Sequence, residues 1–161
     1  GWGWGLGLPH EGSLSIAFRE SDGSIRSLVD VSRSTCPLLG SLNPNDTFGA
    51  SLASIADLDG DGLRELAVGV PDEDGSGPGL GGVRILFLGP DGRPRDVRRI
   101  APGAGGFPYA FERDARFGSS LAAGHAYDGR ELVVHVHEGR GGRSMLWSLE
   151  LDETGSVLPP R

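Results

Sequence analysis

Residues 12–23 (GSLSIAFRESDG) align without a gap on residues 81–92 (GGVRILFLGPDG), an offset of 69 residues. Phe48-Gly49-Ala50-Ser51-Leu52 returns at the same offset as Phe117-Gly118-Ser119-Ser120-Leu121. Two unrelated motifs sharing one period define a tandem array, whose units bury their faces against one another rather than folding alone. The segments inside a unit are short. Residues 82–88 alternate, with Val83, Ile85 and Phe87 on one face, and Leu14, Ile16 and Phe18 repeat that face in the earlier copy. Asp22-Gly23 and Asp91-Gly92 read as hairpin turns in which glycine accepts positive φ. With 28 Gly and 11 Pro in 161 residues, long helices have little room. The expectation is an all-β chain of four-stranded antiparallel β-propeller blades. In the complete unit the strands fall at about 49–56, 65–70, 82–88 and 95–101. About two and a half blades fit: a half-blade and loop in 1–45 (strands near 13–19 and 25–31), a central blade in 46–114, and a degenerate third in 115–161, together an incomplete propeller.

The central unit carries the chemistry. Residues 57–65, Asp-Leu-Asp-Gly-Asp-Gly-Leu-Arg-Glu, place carboxylates at loop positions 1, 3, 5 and 9. Calcium takes about six to eight oxygen ligands, and such a loop turns Asp57, Asp59 and Asp61 inward together while Leu63 offers its carbonyl and Glu65 closes the shell. Position 12 is Val68, and the flanking segments read as strands, so the loop is not an EF-hand. It joins two strands, and a bound ion would relieve the repulsion of four carboxylates and hold the strands together.

Phe48-Gly49, the 57–65 loop and Gly69-Val70-Pro71, standing in place of Gly-Ala-Pro, resemble the FG-GAP repeat of integrin α-subunit β-propellers and of longer secreted arrays. The resemblance is strong in the central unit and partial in the other two. It implies a calcium loop between the first and second strands of a blade, an extracellular setting and an adhesion or structural role. Glu65 departs from it, since Asp is usual at the last ligand position. In the third unit, aligning Arg130-Glu131-Leu132-Val133-Val134 with Arg64-Glu65-Leu66-Ala67-Val68 deletes three residues. Asp128 and Glu131 alone do not make a shell, so one calcium ion per chain is expected.

All 15 basic residues are Arg and the formal charge is −7, which argues against a nucleic-acid partner. No apolar run approaches the roughly eighteen residues of a membrane helix, so no membrane insertion is expected. The single Cys36 excludes an internal disulfide and reads as an inert loop thiol, with a disulfide to another chain as the sharper alternative. Asn45-Asp46-Thr47 is a glycosylation sequon, consistent with secretion. Gly1 without a preceding Met reads as the start of a processed or excised chain.

Weaker candidates complete the sequence reading. His135 and His137 share one side of a strand and, with His125 or Glu138, suggest zinc; partly exposed strand positions equivalent to Gly69 and Pro71 are the plainer expectation. Arg93, Arg95, Arg98 and Arg99 suggest either a sulfated or carboxylated glycan site or charges guarding an outer strand. Trp2 and Trp4 suggest sugar stacking, docking into a neighbouring chain, or packing under a loop. No nucleophile stands beside a base, so no enzyme is expected. The leading expectation is an extracellular, calcium-stabilised structural, adhesion or assembly module completed by other protein chains. The alternative is the propeller portion of a larger secreted enzyme or glycan-binding lectin.

Overall fold

The computed structural model describes residues 12–40, 42–43, 45–74, 77–124, 128–137 and 142–160. Trp2, Trp4, His125 and Glu138 lie outside them. Among the described residues, nine strands form three antiparallel sheets. The first is β1 (Ser13–Arg19) with β2 (Ile25–Ser32). The second runs in the order β3 (Leu52–Ser54), β4 (Leu66–Val70), β5 (Gly82–Leu88) and β6 (Pro94–Ile100). The third is β7 (Leu121–Ala123), β8 (Glu131–His137) and β9 (Ser144–Glu150). The fourth strand of that sheet is reduced to a bridge between Leu151 and Val157.

The period in the sequence is a period of contacts. Gly12 bridges Phe48 between the first and second sheets, and Gly81 bridges Phe117 between the second and third, at the same offset. Gly12 and Gly81 hold φ of 83° and 81°, and a Cβ on either would collide with the backbone of the bridged phenylalanine. Glycine is therefore required at both of these bridges. The bulge near Phe18 recurs near Phe87, again at the repeat offset. The hairpin turn is built three times, with Glu20, Gly89 and Asp152 donating N–H to Ser24, Arg93 and Ser156. Gly92 packs on Phe18 and Gly155 on Phe87, so each turn docks on the aromatic of the preceding blade.

Two apolar layers separate the three sheets. Leu14, Val31, Leu39, Leu42 and Phe48 meet Val68, Val70 and Leu86 in one. Val83, Ile85, Phe87 and Ala67 meet Phe117, Leu132, Val134 and Val136 in the other. The central sheet is thus covered on both faces, and β5 is buried from Gly82 through Phe87. Alternation identifies the face that meets the third blade, but Arg84 and Leu86 are buried as well because the half-blade covers the opposite face. Each fully buried Leu, Ile or Phe contributes about 1.5–3 kcal/mol relative to exposure.

The first strand of the central blade is shorter than the 49–56 expected, spanning only Leu52–Ser54. Phe48 bridges the half-blade, and Gly49, at φ 90°, keeps a single bond to β4 by donating to the Gly69 carbonyl at 3.1 Å. Pairing continues past the strand end as Ile55 donates to the Glu65 carbonyl at 3.0 Å, which closes the base of the 57–65 loop.

Candidate metal centre

The loop between β3 and β4 is folded by its own carboxylates. Asp57 Oδ1 accepts from the Gly60 and Asp61 amides at 2.7 and 3.1 Å, and its Oδ2 from Gly62 at 2.8 Å. Asp59 Oδ1 accepts from the Asp61 amide at 3.2 Å, and Asp61 Oδ1 from Leu63 at 2.7 Å. Gly60 and Gly62 sit at φ 80° and 89°, the left-handed region that lets the backbone coil tightly around these acceptors. The spacing of Asp and Gly thus writes the turn locally, through side-chain-to-backbone bonds that offer an alternative to a strand ladder.

Glu65 completes the cluster from the last position of the loop, just before β4. It is only 1% exposed, and its Oε2 accepts from the Leu58 amide at 2.5 Å. Its Oε1 is buried without a partner. One carboxylate oxygen from each of Asp57, Asp59, Asp61 and Glu65 falls within 4.8 Å of the others, and this is the one such acidic group found among the described residues. A buried carboxylate oxygen lacking a donor costs roughly 1–3 kcal/mol or more. Burial pushes the Glu65 carboxyl above its ordinary value against the pull of the Leu58 bond, and the charges of Asp59 and Asp57 push the same way. A hard divalent cation at the shared focus would satisfy that oxygen and cancel the repulsion, so the residues fit calcium. Leu63 is placed in the same turn by its bond to Asp61.

Neighbouring elements brace the loop. Arg95 on β6 pairs with Asp59 and, at 2.6 Å, with Asp61. Arg130 from the third blade donates to the Leu58 carbonyl at 3.2 Å, and Ala56 donates to the Gly129 carbonyl. The third-blade counterparts behave differently. Asp128 Oδ1 accepts from the Arg130 amide, and Glu131 accepts from the Ser148 hydroxyl across the sheet.

The remaining candidates disperse. Arg93, Arg98 and Arg99 pair with Asp91, Asp96 and Glu73 at 3.6, 2.8 and 2.8 Å, so the arginine run of β6 is engaged within the blade. His135 occupies the place of Gly69: Gly118 donates to the His135 carbonyl as Gly49 does to that of Gly69, and His135 donates to Ser120 as Gly69 does to Ser51. Its Nδ1 lies 2.7 Å from Ser119 Oγ. Cys36 is buried in the first apolar layer, not loop-exposed, which leaves its sulfur poorly placed to bridge to another chain. Asn45 is exposed at φ 76°, while the sequon Thr47 hydroxyl donates to Asp72 at 2.6 Å. Sequence reasoning missed the buried pair of Glu73 and Arg84, joined by two bonds of 2.9 and 2.8 Å. They stand eleven positions apart in the sequence and meet only in the folded blade.

A four-stranded antiparallel sheet stacked between sheets of two and three strands, with an acidic loop between its first and second strands, defines a β-propeller-type module. Residues 48–86, from the blade-bridging Phe48 to β5, match the family model of the FG-GAP repeat. Among curated proteins none matches the chain. No helix of the described residues is long and apolar enough to cross a membrane.

Proposed function

We propose that this chain is an extracellular, calcium-stabilised β-propeller module with a structural or adhesion role, in which one ion at Asp57, Asp59, Asp61, the Leu63 carbonyl and Glu65 fixes the central blade. The observation that carries the reading is the Glu65 carboxylate, grouped with three aspartates and holding a buried Oε1 without a donor. An ion there would tie the β3–β4 hairpin to the blade contact made by Arg130 and Gly129. Other chains complete the propeller through the open face of the half-blade. Leu28, at the repeat position of the half-buried Val97, is 59% exposed there. Secretion and glycosylation at Asn45 accord with the family's usual setting.

The test is a calcium titration of the chelator-treated chain followed by thermal unfolding. Saturation near one ion per chain with a raised midpoint supports the reading, and Asp57→Asn should remove the rise. A stoichiometry near two, or a midpoint indifferent to calcium, would overturn it.

A further inference from the structure

We propose that Arg95 is a tethered counter-cation that competes with the metal ion for the same carboxylate oxygens, so that ion binding displaces its guanidinium from the loop. The inference rests on the calcium reading above. Asp59 and Asp61 each commit Oδ1 to a loop amide, that of Asp61 and that of Leu63. The oxygen left on each is Oδ2, and Arg95 Nη2 bonds both. An ion entering between the aspartates therefore meets the guanidinium on the acceptors it needs.

The competition is reversible because the Arg95 side chain is 43% exposed and has solvent to swing into. It is also permanent in charge, since a guanidinium does not deprotonate under ordinary conditions and only another cation relieves it. The contest is unequal in reach. Arg95 bonds the two exposed aspartates and leaves the buried Glu65 Oε1 unsatisfied, whereas a divalent ion at the shared focus takes that oxygen as well. Arg95 thus holds the loop closed when calcium is scarce and yields when it is plentiful.

The blade fold does not impose this role. Arg26 stands at the same repeat position in the half-blade, yet it reaches Glu20 at 3.8 Å and lies over the Phe18 ring at 5.6 Å. An arginine here turns into a competitor only where an acidic loop sits beside it.

The experiment compares the full chain with Arg95→Gln and Arg95→Lys, measuring calcium affinity against an indicator dye and the thermal midpoint in chelator. Arg95→Gln should bind calcium about tenfold more tightly, a coupling of the size usual between groups that share a site. Its midpoint in chelator should fall while its gain on calcium addition grows. Arg95→Lys should lie between the two, because lysine keeps the charge and loses the fork. Wild-type binding that Arg95→Gln leaves unchanged or weakens overturns the competition and spares the calcium site. Absence of binding in all three proteins overturns the calcium reading and this inference with it.

Discussion

The central and third blades are two copies of one design with different neighbours. Leu52 pairs with Val68 as Leu121 pairs with Val134, so positions correspond strand by strand. Gly69 becomes His135, and the residues opposite them on the next strand, Val83 and Leu146, go from 0% to 72% exposed. Ile85 and Phe87 become Ser148 and Glu150. Each change lies on the face that the central blade presses against the third, and that the third turns outward. On the opposite face the second strand stays apolar in both, with Val68 and Val70 matched by Val134 and Val136. A repeat is thus held to its pattern by what packs on it.

The largest expected effect tests whether the central blade depends on being enclosed. Glu73 and Arg84 are 6% and 3% exposed, and the third blade carries Trp147 at the place of Arg84. Glu73→Ala leaves a buried guanidinium short of its partner and should cost about 3–5 kcal/mol in urea unfolding. Burial pushes the Glu73 carboxyl up, but bonds and charge from Arg84 and Arg99 outweigh it and hold the group below its ordinary 4.5. Its stabilisation is therefore complete above that value and lost as pH falls through the lowered one. Buried Asp46 has the opposite sign: burial raises it, so stability declines as pH rises through its raised value. A Glu73→Gln chain should show a shallower acid-side slope, with the shares of Asp22 and Asp152 left, and keep the opposite contribution of Asp46 and Glu65, which unfolding between about pH 3 and 7 reads.

Calcium removal comes next. If the loop binds as proposed, an ion at a hundred times its dissociation constant adds about 2.7 kcal/mol, and chelation takes that away. Hydrogen exchange should then quicken in residues 50–70 and hold steady in 118–136. Equal loosening of both regions would end the claim that the blades differ in this respect.

Gly69→Ala against His135→Ala addresses the neighbour directly. A Cβ on Gly69 would collide with the Gly118 carbonyl and the Ser51 hydroxyl, an overpacking that costs about 1–3 kcal/mol. His135→Ala, on the outward face, should change stability by less than about 1 kcal/mol, the bond to Ser119 being its main loss. The smallest effect belongs to Leu146→Ser, within about 0.5 kcal/mol by urea unfolding, whereas Val83→Ser at the matching buried site should cost several times more.

Much of this contrast is legible in the residues. The offset relating Gly12 to Gly81 and Phe48 to Phe117 places both bridges, and residues 82–88 are a strand as alternation requires. The third hairpin turn, at Asp152–Ser156, escapes the same comparison because deletions shift it out of the period and Asp91-Gly92 is replaced by Thr154-Gly155. Arg95 stands in the sequence as one of four arginines around Pro94, with nothing to separate it from Arg93 or Arg98.

The sequence by itself determined the turns and the donor set of the 57–65 loop, because Asp and Gly act there through bonds spanning two to five residues. It also determined the stacking period, because a glycine stands at both bridges, Gly12 to Phe48 and Gly81 to Phe117, where a Cβ would collide with the facing backbone. Only the tertiary structure decided that Glu65 lies in the dark of the blade while its aspartate neighbours face water, and that Arg95 rather than Arg93 reaches them. Burial and charge pairing are set by what the rest of the chain brings alongside, more than thirty residues away, and no local spacing encodes that.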